Sequence, residues 1–212
     1  IEGPLNDQWP PASHQGIVGK ETDKTRLDVQ QILLNFASKA FRRPVQLEEI
    51  ARYIGFVQSQ VASGMAEDEA LKQALTAILT SPRFLFIPVM GHEIHVTEWG
   101  DPKSPALMML HGLARTGRDF DEVAATLSQD FHVLCPDMIG RGRSSWAASP
   151  EAEYSVEHYA RIATGVLDHF QIDRAAWFGT SLGGMIGMHM ASGPETARVS
   201  ALVVNDISPE LP

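Results

Sequence analysis

Ala-Ala-Trp-Phe-Gly-Thr-Ser-Leu-Gly-Gly-Met-Ile-Gly-Met-His-Met, residues 175–190, is the stretch whose reading decides the fold. A short apolar run enters Gly179-Thr180-Ser181-Leu182-Gly183, and a helix-compatible run leaves it. Gly-x-Ser-x-Gly in that context predicts a tight strand-to-helix turn that holds a serine hydroxyl above a sheet. The flanking small residues let the backbone take the strained turn, and the N-terminus of the next helix favours developing negative charge. Ser181 is therefore the candidate nucleophile, against the alternative of an incidental turn.

Outward from this stretch, residues 90–212 alternate between strand and helix patterns. Ile94 to Trp99 alternates like a half-exposed strand, and Ala106 to Leu110 is a continuous apolar run of buried-strand type. Arg118 to Ser128 fits a helix, Phe131 to Cys135 a strand, and Ser155 an N-cap before a helix to about Phe170. Ala175 to Phe178 feeds the turn, Leu182 to Met190 leaves it, and Ala201 to Val204 predicts a last buried strand. The alternation predicts an α/β fold: a mostly parallel sheet with flanking helices. Two more clusters fall at C-terminal ends of predicted strands, where such sheets place ligands. They are His111-Gly112-Leu113 and Asp137-Met138-Ile139-Gly140-Arg141-Gly142-Arg143-Ser144.

Residues 25–86 carry a helical period instead. Val29, Ile32, Leu33, Phe36, Ala37, Ala40 and Phe41 share one face, and Pro44 stops that helix. A second helix carries Leu47, Ile50, Ala51, Ile54 and Val61 and ends near Ser63-Gly64. A third carries Ala70, Leu71, Ala74, Leu75, Ile78 and Leu79 and stops before Pro82. The pattern predicts a small all-α module over 25–87, preceded by an irregular arm over 1–24 and followed by the α/β part over 88–212.

Composition narrows the function classes. The 44% hydrophobic and 20% charged residues exclude wholesale disorder. No apolar run reaches the length of a membrane span, and no signal-peptide pattern opens the chain. The net charge of −9 falls almost wholly on residues 90–212, which argues against nucleic acid as a partner. The lone Cys135 fits a reducing compartment, the cytoplasm, and no Cys-x-x-Cys-His haem attachment occurs.

The ordered motifs His111-Gly112, Asp137-x-x-Gly140-x-Gly142-x-Ser144 and Gly179-x-Ser181-x-Gly183 resemble the α/β-hydrolase superfamily, specifically its small esterase or lactonase-like members, over residues 90–212. The resemblance implies Ser181 as nucleophile and the backbone N–H groups of Leu113 and Leu182 as oxyanion donors. It implies that His111 shapes its loop, with Gly112, and that Asp137, Gly140, Gly142 and Ser144 build a hydrogen-bonded turn beside the pocket. Trp146 is open between pocket lining and core. No cofactor and no metal is implied; the partner is a small-molecule ester or lactone, with no membrane role.

The superfamily supplies its triad in the order Ser, Asp or Glu, then His. After Ser181 the acids are Glu195, Asp206 and Glu210, and Asp206 follows the strand 201–204, a position some members use for the acid. Its rival reading is a turn residue in Asn205-Asp206-Ile207-Ser208-Pro209. His189, eight residues along the helix, lies roughly 11–12 Å from the serine along the axis and is expected to be out of reach. His92, His95, His132, His158 and His169 all precede the serine. Relative to the superfamily, the cap region, the last two strands and the loop bearing the base are therefore expected to be missing. A second chain could complete the sheet and site.

Phe36 to Val45, Glu48-Glu49-Ile50 and Ala77 to Phe86 resemble a planctomycete-type helical domain of unknown function, found in large proteins with cytochrome-c-like modules. That resemblance implies the cell envelope rather than the cytoplasm, and no catalytic role. It leaves a non-catalytic interaction or scaffold function as the alternative, with Arg42-Arg43 read as a solvated helix end. The switch of motifs close to Met90 suggests that two unrelated segments are fused there.

Overall fold

The structure, a computed structural model, describes residues 28–207 together with Ile17. The rest of the arm expected over 1–24, and Ser208, Pro209 and Glu210, lie outside the described residues. The chain divides between Phe84 and Leu85 into two compact units.

In the first unit, α1 (Val29–Ala40), α2 (Leu47–Ala62) and α3 (Glu67–Leu79) bury the apolar faces that the sequence period marks. Asp28 caps α1 by accepting the Gln31 N–H at 3.1 Å. Leu33, Ala37, Ile50, Ala70, Ala74 and Ile78 are fully buried between the helices. Gly64 ends α2 at φ 93°, a left-handed position that favours glycine. Arg43 does not project as a solvated end: its guanidinium meets Glu49 at 2.6 Å, and Arg83 reaches the same carboxylate at 3.1 Å. The hydrogen bond from Arg43 is the main reason that the Glu49 carboxyl is held down to about 2.

After one turn of helix α4 (Pro82–Leu85), the second unit opens with a hairpin that the sequence reading missed. β1 (Ile87–Val89) pairs antiparallel with β2 (His92–Ile94) across Met90-Gly91, whose φ values of 52° and 83° suit a two-residue hairpin turn. Strand pairing thus begins before Met90. The main sheet contains β3 (Val96–Trp99), β4 (Ala106–Leu110), β5 (His132–Pro136), β6 (Ala175–Thr180) and β7 (Val199–Asn205) in the order β3-β5-β4-β6-β7. β3 runs antiparallel to β5, and every other pairing is parallel.

Helices cover both faces of the central strands, so Leu107 to Leu110 of β4 are all buried but serve different cores. Met108 and Leu110 join Leu134, Trp177 and α7 (Val156–His169) on one face. Leu107 and Met109 join Val133, Cys135 and Phe120 on the other, beneath α5 (Asp121–Leu127). This two-sided burial is why the strand reads as an unbroken apolar run rather than an alternating one. The segment expected as one helix over 118–128 instead begins with a 3-10 turn over Gly117–Phe120. Ser155 caps α7 as expected, accepting the His158 N–H at 3.2 Å.

Helix α8 (Leu182–Ser192) lies close on β6 and β7, because Gly184 and Gly187 leave no side chain in the way. A Cβ on Gly187 would stand 2.6 Å from Leu202 Cδ1. β7 corrects one expectation. It is not a buried strand; it lies at one of the two edges of the described sheet, the edge position that an absence of the last two strands implies, with Val203 54% exposed. α8 covers its inner face, and among the described residues no element covers the outer one.

Candidate active site

Ser181 sits at the strand-to-helix corner with φ 50° and ψ −113°, outside the regions that a residue with a Cβ ordinarily occupies. The surroundings force this geometry. A Cβ on Gly179 would fall against the Gly183 carbonyl, and one on Gly183 against the Leu110 carbonyl. The elbow therefore closes on itself and on β4 with backbone against backbone. The Ser181 N–H is donated to the Asn205 carbonyl at 3.0 Å, and its own carbonyl accepts the Met185 N–H at 3.1 Å. β7 and α8 thus fix the residue from two sides, with its hydroxyl beside the N-terminus of α8.

The 111–113 loop approaches this corner directly, since a Cβ on Gly112 would stand 3.6 Å from Ser181 Cβ. His111 is fully buried, and both of its ring nitrogens are engaged. Nε2 accepts the Met138 N–H at 3.0 Å, so the proton rides on Nδ1 and is donated to the Gly112 carbonyl at 2.7 Å. Burial pushes the imidazole below its ordinary range, which suits the neutral form that these bonds require. The Leu113 and Leu182 N–H groups meet no acceptor among the described residues, and Leu113 lines the cleft beside Ser181.

The 137–144 loop is bound to its neighbours by one carboxylate. Asp137 Oδ1 accepts the Gly117 N–H at 2.8 Å, and Oδ2 accepts the Arg143 N–H at 3.0 Å. Oδ2 also lies 3.2 Å from His95 Nδ1. Burial alone would raise this carboxyl, but the bonds from His95, Arg143 and Gly117 outweigh it and hold the group below its ordinary range. Ser144 Oγ donates to the Asp137 carbonyl at 2.6 Å and accepts the His95 N–H at 2.9 Å. Gly142, at φ 53°, passes so close to Asp137 that a Cβ would overlap its carboxylate, and Gly140, at φ 75°, passes equally close to the Tyr154 hydroxyl.

Arg141 joins the two loops, a role that sequence reasoning missed. Its Nε donates to the Leu113 carbonyl at 2.9 Å, while Nη1 donates to the Ile139 carbonyl at 2.9 Å and the Tyr159 hydroxyl at 2.5 Å. The guanidinium also lies over the Tyr154 and Tyr159 rings. The Gly-Arg-Gly-Arg spacing shows the residue, but its partners lie 18 and 28 positions away and carry no local signal. His95 and the Asn205 carbonyl were missed for the same reason.

These parts surround a cleft of about 590 Å³ lined by His111, Gly112, Leu113, Phe178, Thr180, Ser181, Asn205 and Asp206, among others. Asp206 is exposed there at φ 58°. Trp146 is 77% exposed and lines an adjoining hollow with Arg141 and Tyr154. No described histidine other than His111 lines the Ser181 cleft, and His189 opens instead onto a separate cavity beside Met90 and Met190. Cys135 is no rival nucleophile, because burial pushes its thiol up to about 12.

Residues 105–212, half of the chain, match the family described as alpha/beta hydrolase fold. The chain belongs to the α/β-hydrolase family. Residues 28–88 match a second family, described as a protein of unknown function (DUF1595). The chain is 43% identical over 136 residues to a 3-hydroxybutyrate-oligomer hydrolase of Cupriavidus necator, covering 62% of this chain and 46% of that protein. A solved α/β hydrolase from Novosphingobium aromaticivorans is 37% identical with a TM-score of 0.54, covering 59% of this chain and 44% of that one. An enol-lactonase from Burkholderia xenovorans is 27% identical with a TM-score of 0.52, over 55% of this chain and 44% of that one. The chain therefore spans less than half the length of each of these three α/β-hydrolase relatives.

Proposed function

We propose that residues 85–212 supply the nucleophile and oxyanion pocket of a serine hydrolase acting on a carboxylic ester or lactone. The observation that carries this reading is Ser181 itself, held at a strained positive φ between Gly179 and Gly183 at the mouth of the cleft. Such strain persists only where the surroundings over-determine it. Ser181 Oγ attacks the carbonyl carbon, and the oxygen that gains charge is received by the Leu113 and Leu182 N–H groups. Donors of this kind each stabilise the transition state by about 3 kcal/mol. The hydroxyl proton passes to a base lying outside the described residues, on this chain or a second one, because His111 has no free nitrogen. Asp206, on the rim after β7, is the acid that would orient such a base. The names of the oligomer hydrolase and the enol-lactonase support an ester or lactone substrate.

Fluorophosphonate labelling of the folded chain tests the assignment. Label is expected on Ser181, to vanish in Ser181→Ala, and to be accelerated by added imidazole if the base is not supplied. A folded sample that takes up no label under either condition would sink the proposal.

A further inference from the structure

A second group of ligand-type side chains lies away from the Ser181 cleft. His92 opens β2, Glu153 ends the short helix α6 (Pro150–Glu153), and His158 stands in the first turn of α7. One ligand atom from each lies within 4.8 Å of the other two. His92 Nε2 and Glu153 Oε2 are 3.2 Å apart. Two donors sharing a tetrahedral ion at bond lengths of about 2.0–2.2 Å stand at nearly that separation. The His92 and His158 rings meet edge to face, with centroids 5.7 Å apart.

The His158 ring carries an observation that ordinary packing leaves unexplained. The residue is 7% exposed, and its Nε2 has no hydrogen-bond partner among the described residues. Its Nδ1 lies 3.2 Å from Arg161 Nη2. A guanidinium only donates, so Nδ1 accepts and the proton is left on the unpartnered Nε2. Native interiors rarely leave a buried N–H unmet unless an ion or water takes its place. The Glu153 carboxylate is oriented in advance by the Ser149 N–H at 2.9 Å and the Ala148 N–H at 3.2 Å.

We propose that His92, Glu153 and His158 form a zinc site, with His158 binding through Nε2 and water completing the tetrahedron. Two imidazoles and one carboxylate are a donor set that suits this borderline ion and leaves one position open. On binding, the His158 proton resides on Nδ1 and the exposed Arg161 side chain turns away into solvent. The ion then ties the β1–β2 hairpin to α6 and α7. None of the three ligands lines the Ser181 cleft, so the site does not depend on the hydrolase reading.

Calorimetric titration of the chelator-treated full chain with Zn²⁺ tests this, with Co²⁺ as a visible-absorption probe of four-coordinate geometry. One equivalent is expected to bind, with a matching rise in Tm. Replacing one ligand in His92→Gln or Glu153→Gln is expected to weaken binding at least tenfold, since even outer-shell partners are worth about 10–100-fold. Arg161→Gln, at an exposed position, removes the competing donor and cation and is expected to tighten binding several-fold. Ser181→Ala should bind Zn²⁺ as the parent does, which separates failure here from failure of the hydrolase assignment. Absence of a saturable equivalent would overturn the site, as would unchanged affinity in the ligand variants. If those variants do not fold, Arg161→Gln decides alone: tighter binding supports the site, and unchanged affinity overturns it.

Discussion

At the residue scale, the elbow is held by what its glycines lack. Ser181 keeps φ 50° because Gly179 and Gly183 let backbone meet backbone on both sides of it. Gly183→Ala places a methyl group against the Leu110 carbonyl, and neither atom sits on a flexible side chain that can yield. Overpacking of this kind costs about 1–3 kcal/mol. Denaturant unfolding followed by tryptophan fluorescence should show that loss, together with slower fluorophosphonate labelling of Ser181. A change below about 0.5 kcal/mol, the ordinary range for surface substitutions, would mean that the corner relaxes. The pentapeptide was legible because its spacing is a local pattern, and Gly179 answers a steric need four residues away at the Gly183 carbonyl, although Gly183 itself answers to Leu110 on β4. The Asn205 carbonyl that accepts the Ser181 N–H was not legible, since it comes from another strand.

At the element scale, the cleft wall is two loops fastened to each other. His111 bonds the Met138 N–H, Asp137 bonds the Gly117 N–H, and Arg141 bonds the Leu113 carbonyl. The motifs in both loops stood out in sequence, but that they grip one another is a tertiary fact. Arg141→Lys keeps the charge and loses the planar fork that serves the Leu113 carbonyl, the Ile139 carbonyl and the Tyr159 hydroxyl together. Small displacements of positioning groups can cost up to about 100-fold in rate. The variant is therefore expected to label at Ser181 at least tenfold more slowly, with its unfolding midpoint little changed. Equal labelling rates would remove Arg141 from the positioning of the Leu113 amide. Strand β7 shows the opposite limit of sequence reading. Ala201 to Val204 is as apolar as a buried strand, yet whether anything covers its outer face is settled by neighbours and not by its own residues.

At the scale of the whole molecule, the two units are expected to lose stability in different pH windows. In the second unit, burial lowers His111 in the folded state, whereas the unfolded chain takes up this proton at about pH 6.5. Its contribution is present above that value and is lost progressively as pH falls below it. In the first unit, Glu49 is held to about 2 by Arg43, so its contribution is full above about pH 4.3 and is lost only as pH falls towards 2. Three of the four tryptophans lie in residues 85–212, and the helices of the first unit weigh on far-UV circular dichroism. Denaturant midpoints read by fluorescence should therefore decline from about pH 6.5, while the helical signal of the first unit holds to about pH 4. A single common window for both signals would contradict this division of the titrating groups. The sequence by itself determined the α/β class, the three-helix module, the elbow and its two companion loops, because periodicity and glycine spacing are properties of neighbouring residues. The tertiary structure alone decided the β1–β2 hairpin, the clamp at Arg141, the engagement of both His111 nitrogens and the meeting of His92, Glu153 and His158. Each of these joins groups far apart along the chain, and only the packing of the sheet against its helices brings them within bonding distance.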